Sequence, residues 1–153
     1  MTGNLFDNDA PKADPGLWHT AHCDGGSRGN PGPAGYGAVV EDSKGQVVAR
    51  LSEFLGHQTN NYAEYKGLLA VLTWALANNV RRLRVVSDSE LMVRQMKGIY
   101  KVKNPGLRPL WEEAQCQSRQ LDAFDMRHTL RGGNKEADKL ANAAMDEGTA
   151  KQS

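Results

Sequence analysis

Four acidic residues stand in local contexts that could carry chemistry. They are Asp24 in Cys23-Asp24-Gly25-Gly26, Glu64 in Tyr62-Ala63-Glu64, Asp88 between Ser87 and Ser89, and Asp138 four residues after Asn134. Singly, each has a plain explanation. A carboxylate after a strand serves as a turn or cap residue, and one in the first turn of a helix answers the partial positive charge of the helix amino end. Together they mean more. Carboxylates crowded into one pocket repel and raise each other's pKa. A divalent cation removes that penalty, and an all-oxygen donor set with open positions suits magnesium or manganese rather than zinc. Two such ions ~3.5–4 Å apart can clamp the attacking and leaving oxygens of a phosphoryl displacement.

Whether acids so far apart in sequence can meet depends on the elements that carry them. Residues 18–23 read as a strand that stops at Asp24-Gly25-Gly26. The run 25–37 holds six glycines and two prolines, which is turn chemistry rather than helix. Residues 36–41 are apolar and β-branched, Asp42-Ser43-Lys44-Gly45 makes a hairpin turn, and 47–54 returns as a strand. A long helix follows, capped by Thr59 or Asn60. Its buried face is marked by Tyr62, Tyr65, Leu69, Leu72 and Leu76 at three- and four-residue steps. Asn78-Asn79 ends it. Residues 83–87 form a short strand, and Ser89 caps a second helix that stops at Gly98. After the loop Asn104-Pro105-Gly106, Pro109 opens a third helix to about Leu121. Residues 124–130 make the fifth strand, and Gly132-Gly133-Asn134 leads into a last helix to about Met145.

The order βββαβααβα predicts an α/β fold with a five-stranded mixed sheet. Strands one to three are antiparallel. Strands one, four and five are parallel, because parallel neighbours need a long return connection. Asp24 and Asp88 then emerge at the carboxyl ends of neighbouring parallel strands, where open α/β sheets bind ligands. Glu64 and Asp138 approach from the first turns of two helices.

The bulk properties agree with one globular domain: 153 residues, 39% hydrophobic and 24% charged. The domain is expected over residues 17–146, with a flexible polar arm over 1–16 and a frayed tail over 147–153. No run of ~18 apolar residues is present, so no membrane partner is expected. Cys23 and Cys116 show no metal or disulfide spacing. With no charged-then-apolar leader, a cytoplasmic location is expected. The net charge of +1 creates no global field for nucleic acid, but it is unevenly spread. Residues 1–80 are net −3 and residues 81–153 net +4. Within 89–110, Arg94, Lys97, Lys101, Lys103 and Arg108 face only Glu90, and such a local stretch can hold phosphates.

The stretch from Cys23-Asp24-Gly25-Gly26-Ser27-Arg28-Gly29-Asn30-Pro31-Gly32 to Gly35-Tyr36-Gly37 resembles the opening of type 1 ribonuclease H. Thr59-Asn60-Asn61-Tyr62-Ala63-Glu64, Ser87-Asp88-Ser89 and Asn134-Lys135-Glu136-Ala137-Asp138 resemble the family's second, third and fourth motifs. The likeness runs from about His19 to Met145, in order and with matching spacing. It implies a ribonuclease H-like fold, a five-stranded mixed sheet with helices packed on it, in agreement with the element order above. It also implies that Asp24, Glu64, Asp88 and Asp138 are catalytic carboxylates holding two magnesium ions, with manganese as a substitute. The implied reaction cuts the RNA strand of an RNA–DNA hybrid. One ion activates water for in-line attack, and the other stabilises the departing 3′ oxygen, giving 5′-phosphate and 3′-hydroxyl ends.

By the same resemblance, Asn30, Asn60 and Asn61 contact the minor groove and Thr59 holds a DNA-strand phosphate. Asn60 is four residues before Glu64 and shares its helix face, so the 2′-hydroxyl that marks RNA would sit beside the metal site. The chain departs from many bacterial relatives between Gly98 and Pro109, which is too short for an extra helix and a basic protrusion. It resembles the compact subgroup there, leaving Lys97, Lys101, Lys103 and Arg108 as substitute phosphate contacts. Compact relatives sometimes also cut double-stranded RNA. In the loop His128-Thr129-Leu130-Arg131-Gly132-Gly133-Asn134, Arg131 is the first candidate for contacting the scissile phosphate or releasing product, and His128 is a secondary one. Two other readings stay open: another nuclease of the same superfold (junction resolvase or transposase-like), and an inactive hybrid-binding module. A requirement for the 2′-hydroxyl separates the first, and cleavage the second. A monomer is the default expectation.

Overall fold

Apolar and polar side chains alternate through His19-Thr20-Ala21-His22-Cys23, and the computed structural model, which describes residues 16–152, places them in a strand with alternating burial. The arm expected over 1–16 lies, but for Gly16, outside the described residues. The elements are β1 (His19–Ser27), β2 (Gly32–Glu41), β3 (Val47–Gln58), α1 (Asn60–Ala77), β4 (Arg82–Ser87), α2 (Glu90–Met96), α3 (Arg108–Ser118), β5 (Ala123–His128) and α4 (Lys135–Gln152). The five strands form one mixed sheet in the order β3-β2-β1-β4-β5. β1 pairs antiparallel with β2 and parallel with β4, and β4 pairs parallel with β5. The expected topology therefore holds.

Helices cover both faces. α1 lies over β1 and β2 with α3 packed on its outer side, and α4 crosses β2, β3 and β1. The core between α1 and the sheet is built on Tyr65, Leu68, Leu72, Leu83 and Val85, all essentially inaccessible. α1 is buried more widely than one stripe. Ala63, Gly67, Val71 and Ala75 are also buried, while Tyr62 and Leu76 are only partly so. A helix packed between a sheet and another helix has little solvent face left, and its hydrophobic pattern broadens accordingly.

Three expectations need correction. The glycine-rich run 25–37 is mostly strand: β1 continues through Ser27 and β2 begins at Gly32. Here glycine serves close helix approach as well as turning. A Cβ on Gly25 would stand 2.6 Å from the carbonyl carbon of Ala63 in α1, and one on Gly37 would stand 2.6 Å from the backbone nitrogen of Ala141 in α4. The tail expected over 147–153 is helical through Gln152, because α4 keeps packing on β3, with Gly148 buried against Phe54. α3 stops at Ser118, short of the expected Leu121.

Candidate active site

Each of the four carboxylates is set by its own local device. Ser87, at the end of β4, is buried and its Oγ accepts the Ser89 N–H at 3.0 Å, while Ser89 Oγ caps α2 by accepting from Met92 N. Asp88 is thus fixed in a turn closed from both sides. The register Cys23↔Ser87 between β1 and β4 puts Asp24 and Asp88 side by side at the carboxyl edge of the sheet. Thr59 caps α1, its Oγ1 accepting from Tyr62 N at 3.1 Å, and Glu64 follows in the next turn.

Asp138 is placed by Asn134. The Asn134 Nδ2 donates to the Cys23 carbonyl at 2.7 Å, and its own carbonyl accepts from Asp138 N at 3.0 Å. One buried residue therefore ties the backbone just before Asp24 to the helix turn that carries Asp138. Among the described residues the buried Asn134 Oδ1 has no hydrogen-bond partner. Gly37 is the register partner of Asp24, and its bare face lets α4 descend until Asp138 shares a hydrogen bond with Asp24.

Asp24, Glu64 and Asp138 line one open cleft of about 500 Å³ together with Asn60, Asn61, Ser89 and Glu90. Burial, the neighbouring Asp88 charge and a side-chain hydrogen bond to Asp138 hold the Asp24 carboxyl well above the usual carboxylate range. Beneath it, burial pushes the Cys23 thiol up, and the charges of Asp24, Glu64 and Asp88 add to the shift. All four acids therefore act on one small volume. Among the described residues no group of three or more acidic, histidine or cysteine side chains forms a ready-made metal cage. Carboxylates this close repel one another, so their crowding fits an oxygen-ligated divalent ion that would draw them in.

The asparagines have defined orientations. Asn60 Oδ1 accepts the Ser27 N–H at 2.6 Å, and the Asn60 N–H donates to Asn30 Oδ1 at 2.9 Å. A backbone N–H can only donate, so each Oδ1 is fixed inward and the Nδ2 groups face the other way. Asn60 is thus more than the first residue of the helix: it locks the β1–β2 connection onto α1.

The remaining predicted residues fall in two places. His128 is exposed at the end of β5, opposite Ser87 in the register, and Thr129 N donates to the Ser87 carbonyl at 2.9 Å. Arg131 starts a single 3-10 turn before α4, and its side chain lies outside what is described. Lys97, Lys101, Lys103 and Arg108 are exposed but do not line the carboxylate cleft. Lys97 lines a separate hollow between α2 and α3 with Trp111 and Arg119, while Arg108 pairs with Glu112 and lies over the Trp111 ring. Sequence reasoning passed over Asn134 as a side-chain clamp and Arg28 as a cleft residue. The capping position of Asn134 was a signal, whereas nothing local to Arg28 announces its partners.

A family profile described as reverse transcriptase-like matches residues 22–144. Bifunctional protein Rv2228c of Mycobacterium tuberculosis is 47% identical over 125 residues, covering 81% of this chain and 34% of that protein. The chain thus spans about a third of the length of the first curated relatives it matches. A solved structure of the N-terminal RNase H domain of Rv2228c superposes with a TM-score of 0.86 at 42% identity, over 90% of this chain and 99% of the other. Ribonuclease HI of Halobacterium salinarum is 37% identical over 127 residues, which make up 83% of this chain and 64% of that protein. LC11-RNase H1, solved in complex with an RNA/DNA hybrid, superposes with a TM-score of 0.80 at 37% identity, over 86% and 99% of the two chains.

Proposed function

The chain belongs to the type 1 ribonuclease H family, and from that premise we propose that it is an endoribonuclease hydrolysing the RNA strand of RNA–DNA hybrids. The observation that carries this reading is the convergence of Asp24, Glu64 and Asp138 on one cleft, with Asp88 beside Asp24 and Asn60 on the wall. Asp24, Glu64, Asp88 and Asp138 hold two divalent cations, with magnesium as the physiological ion. When bound, these ions supply an activated water and stabilise the departing 3′ oxygen, leaving 5′-phosphate and 3′-hydroxyl ends.

Discrimination falls to the asparagines. With its Oδ1 committed to Ser27, Asn60 presents only its Nδ2 donors, so it recognises the 2′-hydroxyl by donating to that oxygen. A deoxyribose offers no acceptor there, and the donor is left unpaired. Asn30 and Asn61 extend the minor-groove contact, and the Thr59 hydroxyl reaches a DNA-strand phosphate. Lys97, Lys101, Lys103 and Arg108 form a second, peripheral phosphate contact on the α2–α3 flank. Arg131 assists at the scissile phosphate or in product release, from the loop that joins β5 to α4.

The test is incubation of the protein with end-labelled RNA–DNA hybrid, RNA duplex and DNA duplex, with and without magnesium. Magnesium-dependent cutting of the RNA strand of the hybrid is expected, with the DNA duplex intact. Cutting of DNA duplex would move the chain to another nuclease of this superfold, and binding without cutting would leave a hybrid-binding module.

A further inference from the structure

We propose that Arg28 is a substrate-contact residue that binds a backbone phosphate of the nucleic acid in the carboxylate cleft, which deepens the proposed ribonuclease H reading and rests on it. The cleft is lined by the acids Asp24, Glu64, Glu90 and Asp138. Arg28 is the one positively charged side chain among the described residues that line it. A polyanionic backbone entering a wall of carboxylates needs a local cation to hold it in register, and guanidinium is the side chain best matched to phosphate oxygens. The lysines and arginine of the α2–α3 flank are too peripheral to do this.

Arg28 is also held ready. It sits in the β1–β2 connection, two residues before Asn30, and reaches across to α4. Its Nη1 donates to Asp146 Oδ1 at 2.5 Å and its Nη2 to Asn142 Oδ1 at 3.1 Å. The side chain keeps 43% of its surface in solvent and Asp146 keeps 68%. An ion pair this exposed contributes little to stability, so fold energetics do not explain a fork spanning 118 positions of sequence. What the two partners do accomplish is orientation. Nη2 also donates to the Asn142 backbone carbonyl at 3.4 Å, so the second N–H of Nη1 is the one turned to phosphate, and a fork with its rotamer already chosen loses less entropy on meeting it. Asn142 continues the connection, its Nδ2 donating to the Asp138 carbonyl at 2.9 Å, so the phosphate contact and the fourth carboxylate share one wall.

The test is hybrid binding measured across a salt series in an Asp88→Asn background, so that the substrate stays intact. The variants added are Arg28→Ala, Arg28→Lys, Asp146→Asn and Arg81→Ala, each checked by thermal melting. Arg81 pairs with Asp122 at the opposite edge of the sheet and serves as the control. Arg28→Ala is expected to weaken binding several-fold and to lower the steepness of log K against log salt by about 1, the signature of one lost phosphate contact. Arg28→Lys retains the steepness with part of the affinity, and Arg81→Ala changes neither. Asp146→Asn separates contact from tethering: it loosens the clamp yet keeps the cation, so a loss well short of that of Arg28→Ala is expected, with the salt steepness unchanged. If Asp146→Asn reproduces the Arg28→Ala loss, Arg28 is only a tether. If Arg28→Ala matches its background in both affinity and steepness, the contact does not exist, while hybrid cutting by the wild-type chain still supports the enzyme. A wild-type chain that neither binds nor cuts hybrid removes the functional reading and this one with it.

Discussion

The two walls of the cleft are built on different principles. The α1 wall, with Asn60 and Glu64, is anchored by apolar burial: Leu68, Leu72, Val71 and Ala75 are sealed between the sheet and α3. The α4 wall, with Asp138, buries mainly small residues, Ala137, Ala141 and Ala144, with Met145 as the one large side chain. Polar ties do more there: the Asn134 amide on Cys23 and the Arg28 fork on Asp146 and Asn142. Depth of burial fixes one wall, and close backbone approach plus directional bonds fix the other. Asn60, the proposed 2′-hydroxyl contact, stands on the deeply seated helix, whereas Asp138, a proposed ion ligand, stands on the more lightly seated one.

The largest effect is expected where neither wall can compensate. Asp88 belongs to the sheet edge between them, and Asp88→Asn should reduce hybrid cleavage by at least ~10²-fold. Hybrid affinity should stay within a few-fold, and magnesium-dependent cutting at the wild-type rate would remove the assignment of Asp88 to the ion site.

The contrast in burial is checked by chemical denaturation. Leu72→Ala on the α1 wall should cost about 2–5 kcal/mol, with Met145→Ala on the α4 wall toward the lower end of that range. Native-state hydrogen exchange should show α4 opening at lower free energy than α1. Equal protection of the two helices would erase the distinction.

Gly37→Ala probes the close approach alone. The new methyl meets α4 backbone, so a loss of about 1–3 kcal/mol is expected. Cleavage should fall more than hybrid binding, because Asp138 is displaced while Asn60 is not. The smallest effect on chemistry belongs to Asn60→Ala, which removes a neutral donor together with the Oδ1 that holds the Ser27 N–H. Preference for hybrid over DNA duplex should shrink by roughly tenfold, about 1.4 kcal/mol. An unchanged preference in a competition assay would take the 2′-hydroxyl contact away from Asn60.

The sequence carried the topology and the four acids because their signals are local. Ser89 and Thr59 announce helix starts, and Asp88 after an apolar run announces the end of β4, although β1 runs on past Asp24 to Ser27. What stayed hidden is tertiary. The glycines of 25–37 look like turn residues until two helices are known to press on them from opposite faces. The helical course of 147–152 depends on Gly148 finding Phe54, which no periodicity reports. The partner of Arg28 lies 118 residues away, and that of Asn134 lies 111 residues away, so neither bond is visible in a local window. The orientation of Asn60 was equally inaccessible, since it is set by one N–H in a neighbouring strand.

Position 37 also limits how this domain could be toughened. A designer seeking a sturdier sheet begins by exchanging glycines for β-branched residues, which favour extended backbone and dilute the unfolded ensemble. At this site that recipe pushes against the α4 backbone and carries Asp138 away from Asp24. Open space alone does not rescue the recipe elsewhere: of the described glycines with nothing within 4 Å, Gly45, Gly56 and Gly98 hold positive φ and resist any side chain, which leaves Gly132 among them.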